Sequence, residues 1–521
     1  MFRRLPGESL VSRIYKGKEK MTLKILMAYY RYSPHINGPS TYIDLLRSEL
    51  IKAGNQVDIL SHDDNGLYIQ IGEKHKVNKA LIKSMLFHRY QTFYTPYSPW
   101  VFWREIERYS LEWAAHLMNI NEYDLIHSHD FMMARALSRV KPTHIPLIVS
   151  LHNCKFHEAA ITNKSNHNNL QIQQYTRYEE YLGAMSGDVT VVPSVWLKQQ
   201  LIAIGVAPEK INVIPYGIQP NVYIHKHETP ALSTKNNTFS KKIILCPARL
   251  VPIKGQRYLI EALHQLQKER KDFICLFAGE GSDREELQQL TESLNLQPYI
   301  SFLGKRTDIP LLMRTSDVIV LPSLHDTFPF VLLEGQYSAK PILATSVGGI
   351  SEIITDGFDG LLVPPGNSLE LVRKLRLLLD DPALRQRLGL QAQQTALEQW
   401  QLDKHMESIY ALYERIKLPS DKVRHYPSLK HWQLDIELLN QIDTGITIEE
   451  GITLQGHIPP EFIDSLEEYK KPYIHLYDLS GVVLQTATID SEGRYVFQLL
   501  PRGDFILKSP LLRNGITHIS I

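Results

Sequence analysis

The chain has 521 residues, 43% of them hydrophobic and 22% charged, which is enough for roughly two to four domains with buried cores. Its 57 lysines and arginines nearly balance 56 aspartates and glutamates, which argues against binding of nucleic acid through overall positive charge. No apolar run is long enough to span a bilayer. Three scattered cysteines make neither a disulfide framework nor a zinc site, so a reducing compartment is favoured.

The first 22 residues form a basic lead-in, MFRRLPGESLVSRIYKGKEKMT, which contains no unbroken apolar core and therefore is not a secretory signal. We expect it to precede the folded protein, and Met21, just before a strand pattern, is an alternative start. The lead-in could also touch an anionic membrane surface. The sequence therefore predicts a cytoplasmic protein, and peripheral contact with the inner face of the membrane stays open.

Short apolar runs alternate with longer stretches of helical spacing over residues 23–223. The first run is followed by a predicted loop with Pro34, Asn37, Gly38 and Pro39, and then by a predicted helix, TYIDLLRSELIKAG. Strands alternating with helices predict a doubly wound α/β domain. The predicted strands of this domain are KILMAYY, QVDILS, DLIHSHD, PLIVSLHN, VTVVPS and INVIPYG.

Residues 224–240 are polar and aperiodic, as is typical of a linker. A second α/β domain is predicted over residues 241–416, where Cys246 and Cys275 lie in apolar runs and should be buried. Ligands of such sheets bind beyond the carboxyl ends of the strands, so two facing domains would form a cleft. The predicted strands are KIILCPARL, FICLFAGEG, ISFLGK, VIVLPS, PILATS and GLLVPP.

After residue 417 the pattern changes. Residues 418–450 are a connector, and residues 451–521 alternate at period two between glycine turns, which predicts a small antiparallel β-domain. Its predicted strands are GITLQGH, PYIHLYD, VVLQTATID, GRYVFQL and DFILK. The run DSEGRYVFQLLPRGDFIL resembles the transthyretin-like and Cna-B-like modules, so a small β-sandwich-like module is expected here.

Two basic residues, Arg249 and Lys254 in CPARLVPIKG, lie between a predicted strand and a predicted helix. Such side chains are most often solvated surface. A helix N-terminus attracts anions, however, and two cations beside it would form a diphosphate site without a metal. Gly279 and Gly281 in AGEG fit either phosphate binding or a plain tight turn. Gly304 ends the run ISFLGK, where a flat base could approach the backbone.

Two acids, Asp326 and Glu334, flank the apolar part of HDTFPFVLLEGQ. A helix that begins near Pro329 places Asp326 in the preceding loop and Glu334 in the opening turns. A carboxylate near a helix N-terminus could simply be a dipole contact, worth about 0.3–1 kcal/mol. Alternatively, both acids accept hydrogen bonds from the hydroxyls of a polyol, whose phosphate binds nearby backbone N–H groups.

His127 and His129 in IHSHD alternate on one strand face, which is the geometry of a two-histidine metal pair. No second set of ligands follows, and the chain contains no Asp-x-Asp motif, so pocket lining or core packing is favoured. No metal and no cofactor is predicted. The aromatic residues of 87–109 could stack on an acceptor sugar, enter a membrane interface or form the core of a helical excursion, and these readings stay open.

Residues 24 to about 416 resemble the retaining GT-B glycosyltransferases of family 4. The similarity extends in order over most of the chain, through NGPSTYIDLLRSEL, DLIHSHD, SGDVTVVPSVWLKQQL, PARLVPIKG, GEGSDREEL, SDVIVLPSLHDTFPFVLLEGQYSAKPILATSVGGISEII and DGFDGLLVPPG. The fold that this resemblance implies is α/β, with two doubly wound Rossmann-like domains facing a cleft. The small C-terminal all-β domain would be an addition to it.

The resemblance also implies roles for matching residues. Arg249 and Lys254 would hold the donor diphosphate, Glu334 would bind the ribose hydroxyls, and Asp326 would contact the hydroxyls of the sugar. Gly38 would admit the diphosphate to backbone of the N-terminal domain. The implied catalytic residues are His152, Arg249, Lys254 and Asp326, and the implied donor-binding residues are Gly38, Arg249, Lys254, Gly304, Asp326, Phe328 and Glu334.

The sequence departs from the family pattern at three places. Asp326 is one methylene shorter than the usual glutamate, which puts the sugar preference in doubt. Asn37 replaces the first glycine of a usual pair and is followed by Gly38 and Pro39. Ala248 replaces a glycine that often precedes the arginine. No charged partner is lost, so an active enzyme is expected.

The implied activity is transfer of a hexose-type sugar, with retention and without a metal, from a UDP- or GDP-sugar to a hydroxyl of a glycan, glycolipid or protein, in polysaccharide or glycolipid biosynthesis. One alternative is a nucleotide-sugar 2-epimerase of the same architecture, which would need no acceptor. Another is an inactive GT-B scaffold whose β-module mediates assembly. The presence of Arg249, Lys254 and Glu334 argues against the scaffold.

Overall fold

The computed structural model describes residues 22–30, 38–63, 66, 68–72, 75–90, 99–118, 120–155, 157–158, 170–220, 223 and 241–417, and the backbone of 452–457, 473–478, 483–488, 494–500, 504–508 and 516–520. The chain divides into two compact units. The first consists of Met1–Ile59, Tyr123–Ala134 and His144–Arg424, and the second of Leu60–Glu122, Arg135–Thr143 and His425–Ile521. The lead-in up to residue 21, the linker 224–240 and the connector 418–450 lie outside the described residues.

The first sheet has eight strands: Lys24–Ala28 (β1), Gln56–His62 (β2), Tyr68–Ile71 (β3), His75–Asn78 (β4), Leu125–Ser128 (β5), Leu147–Ser150 (β6), Val189–Val192 (β7) and Ile211–Val213 (β8). Their spatial order is β4-β3-β2-β1-β5-β6-β7-β8. From β1 through β8 in this order the neighbours pair in parallel, whereas β2, β3 and β4 pair antiparallel. The predicted parallel sheet is confirmed, with an antiparallel extension.

The helices described in this part of the chain are Gly38–Lys52 (α1), Lys79–Tyr90 (α2), Pro99–Leu117 (α3), Phe131–Val140 (α4), Leu170–Ser186 (α5) and Val195–Ala203 (α6). The first helix begins at Gly38, so Gly38 and Pro39, which the sequence assigned to the loop, belong to the helix. Proline is tolerated there because the N–H groups of the first turn have no partner within the helix. Its buried face packs Ile43, Leu46 and Leu50 into the core.

The second sheet has six strands: Lys242–Cys246 (β9), Phe273–Ala278 (β10), Ile300–Gly304 (β11), Val318–Leu321 (β12), Ile342–Thr345 (β13) and Leu361–Val363 (β14). All neighbours pair in parallel, in the order β11-β10-β9-β12-β13-β14, which is the order of a Rossmann domain. Every residue of β12 is buried, as expected for a strand covered on both faces. Cys246 and Cys275 are buried, as predicted.

The helices that cover this sheet or follow it are Gln256–Glu269 (α7), Arg284–Ser293 (α8), Ile309–Thr315 (α9), Phe330–Tyr337 (α10), Ile350–Ile353 (α11), Ser368–Asp380 (α12), Pro382–Gln399 (α13) and Leu402–Lys417 (α14). Helix α10 begins directly after Pro329, close to the predicted start. This position leaves Asp326 in the loop and places Glu334 in the second turn, as the sequence predicted.

In the second unit, the aromatic stretch forms parts of α2 and α3. Phe87 contacts Phe102 and Trp103, with ring centroids 5.7 and 5.5 Å apart. Phe102 is buried, whereas Trp103 is 48% exposed. The described part of this stretch therefore supports the reading as a helical excursion with its own packing, and residues 91–98 lie outside the described residues.

The backbone of the C-terminal segment contains six strands: Ile452–His457 (β15), Tyr473–Asp478 (β16), Val483–Thr488 (β17), Arg494–Leu500 (β18), Asp504–Lys508 (β19) and Ile516–Ser520 (β20). They pair antiparallel as β15-β18 and as β17-β16-β19-β20. The first five lie within the predicted runs, except that β18 extends one residue further, to Leu500. Their assignment to a sandwich module stays a prediction.

Among the described residues, no helix combines the length and the apolar character that crossing a membrane requires.

Candidate active site

The order of the second sheet points to a ligand site between β9 and β12. These two strands are neighbours in space although β10 and β11 separate them along the chain. Connections leave such a pair in opposite directions, which opens a crevice at the carboxyl ends of the two strands. The loop after β9 carries Arg249 and Lys254, and the loop after β12 carries Asp326. The fold therefore brings three predicted site residues to one edge.

Lys254 and Asp326 form a direct ion pair in this crevice. The Nζ atom of Lys254 lies 2.5 Å from Oδ2 of Asp326, and the hydroxyl of Ser323 donates to the same oxygen at 3.1 Å. The two side chains are 14% and 13% exposed. Among the described residues, Oδ1 of Asp326 has no hydrogen-bond partner. The pair is thus held in place and leaves one carboxylate oxygen for a ligand.

Two glycines with positive φ allow the chain to approach this pair. Gly255 (φ 64°) follows Lys254, and a Cβ atom there would lie 2.1 Å from the carbonyl oxygen of Pro322. Gly348 (φ 55°) lies against the Asp326 loop, and a Cβ atom there would lie 1.8 Å from the carbonyl oxygen of Asp326. At either position, a residue with a Cβ atom would push its own loop away from the loop between β12 and α10.

Arg249 has an exposed side chain on a loop whose backbone is fixed. The carbonyl oxygen of Arg249 accepts a hydrogen bond from Nε2 of Gln256 at 2.7 Å. Cβ atoms at Gly279 and Gly281 would lie 2.0 and 2.1 Å from the carbonyl oxygens of Ala248 and Leu250. The glycine pair is therefore explained by close packing under the Arg249 loop. The guanidinium forms no ion pair among the described residues and is available to an anion.

Glu334 lies apart from this pair, half-buried on α10, and accepts a hydrogen bond from the phenol of Tyr223. Burial raises the pKa of the Glu334 carboxyl above its ordinary value, and the Tyr223 hydrogen bond opposes that rise. Burial and the negative charge of Glu334 both raise the pKa of the Tyr223 phenol, so the phenol keeps its proton and donates.

His152 lies at the end of β6 within a buried group of histidines and tyrosines. Its Nδ1 is 2.5 Å from the hydroxyl of Tyr216, and its Nε2 is 3.3 Å from Nδ1 of His129. Burial lowers the pKa of His152 to about 3. The imidazole is therefore neutral near pH 7 and can exchange hydrogen bonds without carrying charge.

His127 and His129 belong to the same buried group, and both ring nitrogens of His127 have protein partners. Nδ1 of His127 is 2.7 Å from the hydroxyl of Tyr413, and Nε2 is 2.7 Å from that of Ser150. Burial is the main cause that lowers the pKa of His127 to about 3. Among the described residues no group of three potential ligands has metal-binding geometry. The structure supports the packing interpretation.

The remaining predicted residues occupy different places. Gly38 begins α1, and a Cβ atom there would lie 3.9 Å from the ring of Phe330, so the N-termini of α1 and α10 approach each other. Phe328 is 4% exposed and packs edge-on against Tyr216, which places its ring in the core. Gly304 ends β11, which two strands, β10 and β9, separate from β12. Asn37 lies outside the described residues.

A glutamate of the second α/β domain links it to the first. The carboxylate of Glu352, on α11, accepts hydrogen bonds from the backbone N–H groups of Val195 at 2.8 Å and Trp196 at 2.7 Å. These two residues form the first turn of α6, whose N–H groups have no partners within the helix. A negative charge is stabilised there by the helix dipole. Glu352 thus joins α11 to the first turn of α6.

We expect Glu352→Ala to lower the midpoint of thermal unfolding by about 2–4 °C, because losing a partly exposed contact at a helix N-terminus costs about 1 kcal/mol. Scanning calorimetry measures this shift. The control is Glu398→Ala, which removes an exposed carboxylate on α13 that accepts a hydrogen bond from Gln394 of the same helix. Equal midpoints for the two variants would show that the Glu352 contact contributes nothing.

Two family models match the chain. The model "Glycosyltransferase Family 4" matches residues 36–222 and "Glycosyl transferases group 1" matches residues 230–395. Together they span the two Rossmann-like domains. Residues 36–222 are a glycosyltransferase family 4 domain and residues 230–395 a glycosyl transferases group 1 domain. The GT-B fold predicted from the sequence is confirmed for these domains, whereas neither model reaches the C-terminal strands.

Similar proteins fit this assignment. An uncharacterized glycosyltransferase of Methanocaldococcus jannaschii, MJ1607, is 24% identical over 75% of this chain and 98% of its own. An Escherichia coli UDP-Gal:α-D-GlcNAc-diphosphoundecaprenol α-1,3-galactosyltransferase is 29% identical to this glycosyltransferase. The matched segment covers 34% of this chain and 48% of that relative. The Anabaena protein HepE, solved with UDP, has a TM-score of 0.56 at 20% identity and covers 75% of this chain and 100% of its own.

Two residues of this glycosyltransferase site, Glu158 and His325, were not predicted. Glu158 follows β6, and burial raises the pKa of its carboxyl, while Lys155, Arg249 and Lys254 act in the opposite direction. His325, next to Asp326, is buried and stacks on His157 with centroids 5.9 Å apart. No motif marks either residue in the sequence. In the sequence, only its position next to Asp326 could have indicated that His325 belongs to the site.

Proposed function

We propose that the protein is a retaining glycosyltransferase that moves a hexose-type sugar from a UDP- or GDP-sugar to a hydroxyl of a glycan, glycolipid or protein acceptor. The observation that carries this proposal is the Lys254–Asp326 ion pair at the switch point of the second sheet, beside the exposed Arg249. A cation pair and a carboxylate oxygen within one crevice match the two halves of a sugar diphosphate. The E. coli relative, whose name includes UDP-Gal, supports a nucleoside-diphosphate hexose as donor.

In this proposal, Arg249 and Lys254 stabilise the departing diphosphate. The bond between the anomeric carbon and the phosphate oxygen breaks, and a bond to the acceptor oxygen forms on the same face. The leaving phosphate oxygen takes the acceptor's proton. Fixed cations lower this barrier because negative charge develops on the diphosphate as the bond breaks. The backbone contacts that hold the Arg249 loop favour such a fixed arrangement.

Asp326 and His152 would position the sugar. Oδ2 of Asp326 is occupied by Lys254 and Ser323, so Oδ1 is the atom that accepts a sugar hydroxyl. His152 is neutral near pH 7 and can share a hydrogen bond with another hydroxyl. Glu334 would bind the ribose. Gly38 would contribute backbone at the N-terminus of α1, and Gly304 backbone near the base. The ring of Phe328 is buried, so Phe328 would contact the donor through its backbone as well.

The full chain, incubated with a panel of UDP- and GDP-hexoses with and without glycan and glycolipid acceptors, tests this function. We expect one donor to release nucleoside diphosphate in step with sugar transfer, and nuclear magnetic resonance to show that the product keeps the donor's anomeric configuration. A free epimerised nucleotide sugar without acceptor would identify a 2-epimerase. Absence of any donor turnover together with absence of donor binding would favour the scaffold.

We expect activity to survive EDTA, because Arg249 and Lys254 neutralise the diphosphate in place of a divalent cation. The measurement is nucleoside diphosphate release before and after exhaustive chelation, with a known metal-dependent glycosyltransferase as control for the chelation. Loss of activity with EDTA and its recovery on addition of manganese would contradict metal independence.

We further propose that residues 451–521 form an accessory β-sandwich module that takes no part in donor chemistry. The antiparallel pairing of β15–β20 supports this, as does the fact that the matched family models end at residue 395. Contact of the protein with a membrane stays a prediction from the basic N-terminus.

A further inference from the structure

The phenol of Tyr223 donates a hydrogen bond to Glu334, and Tyr223 is the last residue of the first α/β domain as predicted from the sequence. It is half-buried and packs against the core cluster that contains Leu332 and Leu333 of α10. Its backbone N–H donates to the carbonyl oxygen of Pro220 at 3.0 Å. The ring is therefore held by packing on one side and by a local turn on the other.

Backbone at residues 217–218, five to six positions before Tyr223, is fixed against the start of α14. The N–H group of Ile218 donates to the carbonyl oxygen of Trp400 at 3.1 Å. A Cβ atom at Gly217 would lie 2.6 Å from the carbonyl oxygen of Gln401, so only glycine permits this approach. Tyr223 is thus placed by contacts that do not depend on Glu334, as expected for a residue that orients a partner.

We propose that Tyr223 positions the Glu334 carboxylate for the ribose hydroxyls of a nucleotide ligand, through the hydrogen bond that its phenol donates. This inference rests on the proposed function, in which Glu334 binds the ribose. An ionised carboxylate accepts up to about four hydrogen bonds. The phenol uses one of them and leaves the others for two neighbouring hydroxyls.

The hydrogen bond has two effects on recognition. It restricts the Glu334 side chain to one orientation before the ligand arrives, which reduces the entropy lost on binding. It also stabilises the ionised carboxylate against the effect of burial, which raises the pKa of this group. A ribose hydroxyl donates more strongly to an ionised carboxylate than to a neutral carboxyl group. Both effects predict that the phenol strengthens binding of ribonucleotides.

An opposing role is also testable. If the Tyr223 hydroxyl occupied the position of a ribose hydroxyl, ligand would have to displace it, and removal of the phenol would strengthen binding. The packing of Tyr223 against core residues argues for a fixed ring that stays in place. The direction of the change in affinity on Tyr223→Phe therefore separates positioning from occupation.

The test is calorimetric titration of the full-length protein with UDP or GDP, whichever binds more tightly, and with its 2′-deoxy and 3′-deoxy analogues. We expect Tyr223→Phe to weaken ribonucleotide binding by about tenfold or more, as for loss of a hydrogen bond to a charged group, and to leave binding of at least one deoxy analogue nearly unchanged. Discrimination between ribose and deoxyribose should fall accordingly.

The matched control is Tyr337→Phe, which removes a phenol on the same helix that donates to the carbonyl oxygen of Ala396 at 2.9 Å. It should change ribonucleotide and deoxy affinities by the same factor. Tyr223→Phe in a Glu334→Gln background should have a smaller effect than in the wild type, because the two residues act together. This double-mutant cycle still measures the energetic coupling between Tyr223 and Glu334 if either single variant is less stable.

Stronger binding by Tyr223→Phe, or equal loss for ribonucleotide and both deoxy analogues, would overturn the positioning role. So would an undiminished effect of Tyr223→Phe in the Glu334→Gln background. If the wild type binds no nucleoside diphosphate, the proposed function itself fails. Wild-type binding with unchanged discrimination in Tyr223→Phe refutes only the role of Tyr223.

Discussion

Replacing Lys254 with alanine is expected to lower kcat/KM by about a hundredfold or more, the effect of losing one fixed charge-stabilising donor in a dry site. The substitution removes a cation from the leaving diphosphate. It also leaves the mostly buried Asp326 carboxylate with the hydroxyl of Ser323 as its one remaining partner within the described part of the chain. Both consequences act on the same crevice, so the loss should exceed that of a surface lysine.

Steady-state kinetics on the preferred donor measure this effect. The matched control is Lys268→Ala on α7, where the amine of an exposed lysine donates to Oε1 of Gln265 on the same helix. Lys254→Arg keeps the positive charge but changes its geometry, and it should retain more activity than Lys254→Ala. A folded Lys254→Ala variant with wild-type kcat/KM would refute the assignment of Lys254 to the diphosphate.

Asp326→Asn is expected to lower turnover by about a hundredfold while affinity for the bare nucleoside diphosphate changes only a few-fold, since a site built to accept a hydroxyl loses its acceptor. Lys254 and Ser323 both donate to Oδ2, so the amide oxygen of asparagine must turn toward them. The NH₂ group then replaces Oδ1 and cannot accept a sugar hydroxyl. Arg249, Lys254 and Glu334 still hold the nucleotide.

Turnover on several donors, measured beside the affinity for UDP and GDP, separates these two effects. Asp326→Glu should change the ranking among donor sugars more than it changes nucleotide affinity, because the carboxylate moves outward by about one carbon–carbon bond. If Asp326→Asn abolishes nucleotide binding and the ranking of donors stays fixed, Asp326 serves the nucleotide side and its assignment to the sugar is wrong.

The elements of the two parallel sheets could be predicted because their signals are local. The apolar run VIVLPS specifies β12, and Pro329 marks the start of α10, so the positions of Asp326 and Glu334 relative to the helix followed from sequence. The start of α1 was misplaced because glycine and proline were read as loop residues. In the first turn of a helix, however, neither residue disrupts a hydrogen bond.

The contacts within the site could not be predicted in the same way. Lys254 and Asp326 are separated by 72 positions, and Tyr223 and Glu334 lie in different domains, so no periodic pattern links them. The alternation of His127 and His129 is the same for a metal pair and for a packed polar group. The hydrogen bonds of His127 to Tyr413 and Ser150, which favour the packed polar group over the metal pair, are contacts between residues far apart in sequence.

The donor site is tested most directly by calorimetric titration of the full chain with UDP and GDP, in the wild type and in the double variant Arg249→Ala/Lys254→Ala. We expect at least one of the two nucleotides to bind the wild type at a single site. We expect the double variant to bind it about a hundredfold or more weakly, because both charge-assisted contacts to the diphosphate are gone. Equal affinity in the two proteins, or a wild type that binds neither nucleotide, would contradict the donor site.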